Sequence, residues 1–147
     1  MGLFSFFKNS GEKTIKTTAD NATNARALMT KVKDYGLEVT DLDVEVMGDT
    51  VKVWGVAADQ ATREKVLLTL GNTQGIANVE DKMTTAVPQP EAKFHTVQSG
   101  ESLSKIAKQY YGNPMKYTVI FEANKPLLKD PDKIYPGQSL RIPELDK

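Results

Sequence analysis

The sequence predicts an α+β protein made of two small modules and a short linker. In residues 94–143, apolar residues and turn signals follow the order strand, helix, helix, strand. In residues 20–83, the order is helix, strand, strand, helix, strand, which is typical of a small α/β sandwich with one sheet face covered. Between them, Pro88 and Pro90 oppose a helix and favour an extended spacer. We therefore predict modules at residues 1–83 and 94–147, joined by a linker at residues 84–93.

The C-terminal module has the clearest local signals. Ser102 is a typical helix N-cap and Gly112 is placed to end that helix, whose apolar residues recur with helical spacing. Asn113 followed by Pro114 favours the start of a second helix. Residues 135–138, Tyr-Pro-Gly-Gln, have proline and glycine where a type II turn needs them. A short strand is expected on each side of the helix pair.

The N-terminal module is predicted from a change of period. Over residues 42–56 apolar and polar side chains alternate, and Gly48 lies in a tight turn, so a β-hairpin is expected. One helix is expected before the hairpin, over about residues 20–35. A second helix begins after the N-cap Asp59 and stops at Gly71, and a last strand follows it.

The first residues are apolar over a short length. Residues 3–7, Leu-Phe-Ser-Phe-Phe, predict a short amphipathic helix that closes near Ser10 with Gly11 as its left-handed cap. Docking onto the protein's own core is favoured, and anchoring at a membrane surface is the alternative. This stretch lacks the basic region and the cleavage pattern of a secretory signal, and no apolar window reaches the length of a membrane span. We therefore expect a cytoplasmic protein.

Composition argues against several classes of function. The chain of 147 residues has 19 acidic and 19 basic residues, a balance that argues against a nucleic-acid partner. It has no cysteine, which excludes thiolate chemistry and disulfides. The single histidine, His95, falls in a predicted strand and is interpreted as a satisfied structural residue. No serine elbow or phosphate-binding glycine loop appears, so we expect a binding protein rather than an enzyme.

One acidic run raises the question of a divalent-metal site. Asp41, Asp43 and Glu45 alternate along a predicted strand. They lack the glycine and the twelfth-position glutamate of an EF-hand loop. A solvated acidic face is therefore the favoured interpretation.

Several short motifs give the C-terminal module a resemblance to LysM domains. They are Phe-His-Thr-Val-Gln-Ser-Gly-Glu-Ser-Leu at residues 94–103, an asparagine after the second helix, and Ile-Tyr-Pro-Gly-Gln-Ser-Leu-Arg-Ile-Pro at residues 134–143. The resemblance implies a βααβ fold and binding of N-acetylglucosamine polymers such as peptidoglycan or chitin. The glycan groove that it implies comprises Gly100, Glu101, Ser102, Leu103, Asn124, Ile134 and Tyr135.

The N-terminal module resembles BON domains through softer motifs. They are Asp-Thr-Val-Lys-Val-Trp-Gly-Val at residues 49–56 and Gly-Ile-Ala-Asn-Val-Glu-Asp at residues 75–81. Trp54 stands where smaller residues are common in that family. The resemblance implies a module that binds phospholipid or a partner.

The order BON then LysM, with a Gly-Leu-Phe-Ser-Phe start, resembles the cytoplasmic potassium-binding proteins of bacteria. This resemblance implies a K⁺ sensor that is loose without the ion and compact with it, the LysM domain packing against the BON domain. Neutral backbone carbonyls suit K⁺, because they can replace the water of a large, weakly hydrated cation. The ligands that the resemblance implies are the carbonyls of Phe7, Ser10, Gly71, Thr73 and Ile76.

Alternatives remain at this point. From the residues alone, Gly11 and Gly71 are better explained as helix caps, and only the resemblance favours an ion site. Binding of peptidoglycan, or a role in envelope stress, is a second hypothesis, and phospholipid binding is a third. Peptidoglycan binding is disfavoured because a protein without export does not meet cell-wall glycan, and membrane binding is disfavoured because the apolar start is short and weakly basic. We expect a monomer with K⁺ as its ligand.

Overall fold

The computed structural model of the chain describes residues 2–6, 20–87 and 89–145, and it describes the side chains of these residues except Gly2 and Leu3. The chain separates into two units, Met1–Pro90 and Glu91–Lys147. Both units combine helices and strands, which confirms the predicted α+β class.

The described part of the N-terminal unit forms one four-stranded sheet and two helices. The strands follow the order β1-β4-β3-β2, with β3 and β4 parallel and the other pairs antiparallel. Helix α2 makes the connection between the parallel strands, as a βαβ crossover requires. The elements are β1 (Gly2–Ser5), α1 (Asn21–Asp34), β2 (Val39–Met47), β3 (Thr50–Ala57), α2 (Gln60–Gly71) and β4 (Asn78–Thr85).

Local signals explain most of these elements. The carboxylate of Asp20 accepts from the amide of Thr23 at 2.7 Å, and that of Asp59 accepts from the amide of Thr62 at 2.8 Å. These are N-cap hydrogen bonds, which satisfy amides left free at a helix start. Gly48 has a φ of 64° in the turn between β2 and β3, so the predicted hairpin is confirmed.

The start of the chain differs from the prediction. Residues 2–5 form strand β1 rather than an amphipathic helix, with Phe4 opposite Val79 of β4. The apolar spacing of this stretch fits either period, and pairing with the open edge of β4 satisfies backbone groups that an isolated helical turn would leave exposed. Phe6 is buried, as docking onto the protein's own core predicts. The expected helix end at Ser10 and Gly11 lies outside the described residues.

Helix α2 is fixed to β4 by a partly buried ion pair as well as by apolar packing. Nε and Nη2 of Arg63 both lie 2.8 Å from Oδ2 of Asp81, whose other oxygen accepts from the amide of Met83 at 2.9 Å. The apolar core between helices and sheet is fully excluded from solvent, and it includes Leu28, Val32, Val51, Val53, Leu70 and Val79. The position of the helix along the strand is therefore set by a directional contact.

The C-terminal unit has the predicted strand, helix, helix, strand order. Ser102 caps α3, Gly112 ends it in the left-handed region with a φ of 74°, and residues 135–138 form the expected turn. The second helix differs slightly, because its first turn is a 3₁₀ helix capped by Asn113. The elements are β5 (Lys93–Thr96), α3 (Leu103–Tyr111), the 3₁₀ turn (Pro114–Lys116), α4 (Tyr117–Ala123) and β6 (Ser139–Ile142).

The stretch between the units is shorter than the linker predicted at residues 84–93. Strand β4 continues through Thr85, and β5 begins at Lys93. Residues 86–92 connect them, and Pro88 lies outside the described residues. In the described ranges, no helix combines the length and the apolar character needed to span a bilayer.

Asn124 fixes the end of α4 to β6. Its side chain is in the core at 1% exposure, and its Nδ2 donates to the carbonyls of Ile120 at 2.7 Å and Arg141 at 3.0 Å. Its Oδ1 accepts from the amide of Arg141 at 2.8 Å. One amide side chain therefore satisfies backbone groups of both elements in a site closed to water.

The loop between β5 and α3 is closed by Glu101. Its Oε1 accepts from the amide of Gln98 at 2.7 Å and lies 2.9 Å from Nε2 of His95, whose Nδ1 lies 2.9 Å from the hydroxyl of Tyr110. Burial acts to raise the pKa of Glu101, but the contacts with Gln98, His95 and Lys105 together lower that pKa below its ordinary value. His95 is thus a satisfied strand histidine, as the sequence predicts.

Asn124→Ala should destabilise the C-terminal unit by about 2–3 kcal/mol, because it leaves two carbonyls and one amide buried without a partner. Urea unfolding followed through NMR signals of residues 93–142 measures this cost. Asn113→Ala is the matched control, since Asn113 is exposed and its side chain accepts only from the amide of Met115. It should cost about 1 kcal/mol or less. Equal costs for the two variants would contradict the role given to Asn124.

Acid should destabilise the same unit partly through Glu101. Folding lowers the pKa of this carboxyl below the ordinary 4.5, so its contribution is complete above pH 4.5 and is lost as the pH falls through the folded-state pKa. Glu101→Gln should therefore flatten the fall in unfolding free energy below pH 4.5, measured by urea unfolding at a series of pH values. Glu122→Gln, which removes an exposed partner of Lys125 away from this loop, is the matched control. If both variants flatten the fall in unfolding free energy equally, the contacts of Glu101 are not its cause.

Candidate functional site

The candidate ion site lies where α2 ends and the chain turns towards β4. Three of the five carbonyls that the family resemblance implies as ligands, those of Gly71, Thr73 and Ile76, fall in this described loop. The other two, of Phe7 and Ser10, lie outside the described residues. The described part of the site is therefore residues 71–76, which we call the carbonyl loop.

The carbonyl loop has buried side chains. Thr73 is 1% exposed and Ile76 is fully buried. The hydroxyl of Thr73 donates to the carbonyl of Thr69 at 3.0 Å, which continues the hydrogen bonding of α2 beyond its last residue. Gly75 adopts a φ of 98°, a conformation that favours glycine, and it lets the chain reverse direction. The buried side chains of Thr73 and Ile76 anchor the loop.

Two carbonyls of the loop have no backbone donor in the described part of the chain. No amide of residues 2–6, 20–87 or 89–145 donates to the oxygen of Gly71 or of Ile76, whereas the oxygen of Thr73 accepts from the amide of Ile76 at 3.1 Å. Buried carbonyls are normally paired. A carbonyl oxygen has two lone pairs, so that of Thr73 also keeps acceptor capacity.

Electrostatics at this point favour a cation. Gly71 is the last residue of α2, whose final carbonyls lack intrahelical partners and carry the partial negative charge of the helix end. These carbonyls are neutral, however, so their attraction for a cation is modest and short in range. Such a set suits a weakly hydrated monovalent cation better than a divalent one, which favours carboxylate oxygens.

Gly71 is not a left-handed helix cap. The helix ends at this residue, and the cap position is Asn72 with a φ of −81°. A Cβ atom built on Gly71 would lie 2.2 Å from two ring atoms of Phe6 and 2.4 Å from a third. Glycine is required here because the ring of Phe6 occupies the space of a side chain.

Phe6 was not predicted as part of the site. Its ring lies against Gly71, and its amide donates to the carbonyl of Ala77 at 2.7 Å. The available signal was the alternation of Phe4 and Phe6, which suits a strand with both rings on one face. The neighbouring Phe7 made a helix equally plausible from sequence.

The glycan residues implied by the LysM resemblance divide into two groups. Leu103 and Asn124 are in the core, at 2% and 1% exposure, so their side chains stabilise the unit rather than line its surface. The others are at least partly exposed, and they are Gly100, Glu101, Ser102, Ile134 and Tyr135.

Backbone hydrogen bonds hold the loop before α3, at residues 98–102, beside the turn at residues 135–138. Val97, just before the first loop, donates to the carbonyl of Gln138 at 2.8 Å and accepts from the amide of Gly137 at 2.9 Å. Several polar groups of the first loop have internal partners: Ser102 caps α3, and Nζ of Lys105 donates to the carbonyl of Gly100 at 3.0 Å. The loop and the turn therefore form one surface, but several of its polar groups already make hydrogen bonds within the C-terminal unit.

The acidic run on β2 has the character of a solvated face. The side chains of Asp41, Asp43 and Glu45 are exposed. A bulge between Thr40 and Asp43 shifts the register there, and Asp41 has a φ of 56°. Across the described ranges, no three histidine or acidic side chains are grouped as metal ligands.

Comparison with known proteins agrees with this architecture. The LysM domain model matches residues 95–143. The chain is 44% identical over 148 residues to the potassium binding protein Kbp of Escherichia coli O6:H1, an alignment that covers 98% of this chain and 99% of that protein. It is 34% identical over 138 residues to an uncharacterized protein of Deinococcus radiodurans, covering 84% of this chain and 53% of that protein. Because the similarity to Kbp runs along nearly the whole of both sequences, the chain belongs to the Kbp family.

Proposed function

We propose that the protein binds one K⁺ through backbone carbonyls and acts as a cytoplasmic K⁺ sensor. The observation that carries the proposal is the carbonyl loop, where the oxygens of Gly71 and Ile76 have no backbone donor among the described residues. The Kbp relative, named for potassium binding, supports the identity of the ion. The remaining ligands in this proposal are the carbonyls of Phe7, Ser10 and Thr73.

The chemistry of the ligands favours K⁺ over divalent cations. Carbonyl dipoles can replace the hydration shell of K⁺, which is held weakly. Ca²⁺ and Mg²⁺ hold water more strongly, and proteins bind them with carboxylate oxygens. Thr73 and Ile76 contribute backbone oxygens, while their buried side chains hold the loop. In this proposal, affinity comes from the positions of neutral oxygens.

Binding is coupled to compaction in this proposal. The proposed ligands come from two places far apart in sequence, near residue 7 and in residues 71–76. An ion that contacts both must offset the entropy of bringing them together. The sensor is therefore loose at low K⁺ and compact at high K⁺, and its affinity is moderate.

We also propose that the N-terminal unit is of the BON type and that the sensor acts in the cytoplasm, where it responds to changes in ion level during stress. The lack of cysteine is compatible with a reducing compartment.

Titration with KCl should produce a saturable change in Trp54 fluorescence and a smaller radius of gyration by X-ray scattering. Trp54 lies on β3 of the N-terminal unit and is the only tryptophan, so the signal reports on that unit. NaCl at the same ionic strength should leave both signals nearly unchanged, because Na⁺ is smaller and holds its water more firmly. The same response to both salts would rule out selective K⁺ binding.

Gly75→Ala should weaken K⁺ binding at least tenfold, about 1.4 kcal/mol. A side chain at a φ of 98° strains the carbonyl loop and moves its oxygens. Gly36→Ala is the matched control, because Gly36 has a φ of 71°, has open space around it, and follows α1 rather than α2. It should bring a similar backbone strain and leave K⁺ affinity, measured by calorimetry, unchanged. A loss of affinity in the control of the same size would show that general destabilisation is responsible.

Binding of N-acetylglucosamine polymers is the second candidate function. The LysM match over residues 95–143, and the exposed positions Gly100 and Ser102 beside the turn at residues 135–138, favour it. We expect no retention of the full chain on purified peptidoglycan, since the polar groups of this surface are largely paired within it. Retention that is lost when free chitin oligosaccharide is added would favour this second function instead.

A further inference from the structure

Phe6 contacts both ends of the carbonyl loop. At the entry to the loop, its ring occupies the space that a Cβ on Gly71 would take. At the exit, its amide donates to the carbonyl of Ala77 at 2.7 Å. One residue, directly after β1, therefore spans the loop through two unlike contacts, one of packing and one a hydrogen bond.

We propose that Phe6 is a positioning residue for K⁺, which sets the spacing of the carbonyl oxygens by holding the two ends of the loop. The inference rests on the function proposed above and adds a residue that contributes no ligand. The exit of the loop has a second anchor, because the amides of Ala77 and Asn78 donate to the carbonyl of Asp49 at 2.8 and 3.2 Å. At the entry, the ring of Phe6 covers the helix end directly. Loss of the ring therefore frees mainly the Gly71 end.

Phe6 also links the loop to the first part of the chain. Its backbone continues directly into residue 7, one of the proposed ligands. Docking of Phe6 and binding of the ion are then thermodynamically coupled, so each favours the other by the same factor. Ring packing prepares part of the site before the ion arrives, which lowers the ordering cost at the moment of binding.

The contact between Phe6 and Gly71 is so close that a substitution at either residue should disrupt it. Alanine in place of glycine at a helical position with ordinary φ normally stabilises a protein. Here the added Cβ would lie 2.2 Å from the ring, closer than carbon atoms approach without movement. Gly71→Ala should therefore displace the ring, and it should do no harm once the ring has been removed.

The test is a double-mutant cycle on K⁺ affinity, measured by calorimetry with KCl on the full chain. Phe6→Ala and Gly71→Ala should each weaken binding at least tenfold. The double variant should bind within about twofold of Phe6→Ala alone, since both changes remove the same contact. Phe6→Leu, which keeps apolar volume and loses the flat ring, should show an intermediate loss. Independent, multiplying losses in the double variant would overturn the inference.

Two further measurements separate positioning from stability and from the proposed function. Val66→Ala, a truncation of a fully buried side chain of α2, should lower stability without a comparable loss of K⁺ affinity, and an equal loss would overturn the inference. In K⁺-free buffer, Phe6→Ala should speed hydrogen exchange of the Gly71 and Asn72 amides, at the end of α2 that the ring covers, at least tenfold, while that of Val97, in the other unit, stays unchanged.

Unchanged exchange at these two amides would overturn the inference whether or not the ion binds. If the wild-type chain binds no K⁺, the proposed function fails, and the exchange measurement still decides whether Phe6 holds the loop. If the wild-type chain binds K⁺ and Phe6→Ala binds it equally well, the proposed function stands and the positioning role does not.

Discussion

The structure around the candidate site depends on the packing of one aromatic ring against a residue that has no side chain. Strand β1 has only four residues, and a strand of this length gains little from pairing alone. The ring of Phe6 adds buried apolar area at the end of α2, and Gly71 provides the space for it. The start of the chain, the end of α2 and the beginning of β4 are thereby brought into one place.

The contact can be this specific because α2 is fixed elsewhere. Asp81, on the helix-covered face of β4, receives two donors from Arg63 and one from the amide of Met83. A buried ion pair adds little net stability compared with apolar residues, but a displaced one is costly, so it selects one arrangement. Asn124 has the corresponding role between α4 and β6 of the C-terminal unit. In both units a polar side chain sets the position of a helix end on a strand.

The parts of the fold that sequence predicted are those with a local cause. Helix caps such as Ser102 and Asp59 make hydrogen bonds three residues away, and the hairpin follows from alternation and a turn glycine. Strand β1 was missed because its apolar spacing fits both periods, and only pairing with β4, some 75 residues later, decides between them. For the same reason Gly71 was interpreted as a cap: the ring that requires glycine comes from a distant segment.

The candidate ligands could not be predicted from residue types at all, because every residue has a carbonyl, and the family resemblance alone suggested them. Side-chain identity at the proposed ligand positions is therefore of little direct importance for such a site. The chain has no net charge to attract cations, and the proposed ligands are neutral, so in the proposed site affinity depends on where the oxygens are held. Substitutions that keep the backbone in place, even at a ligand, should be tolerated. The sensitive positions are then those that fix the loop, such as Phe6, Gly71 and Gly75, none of which acts through its charge.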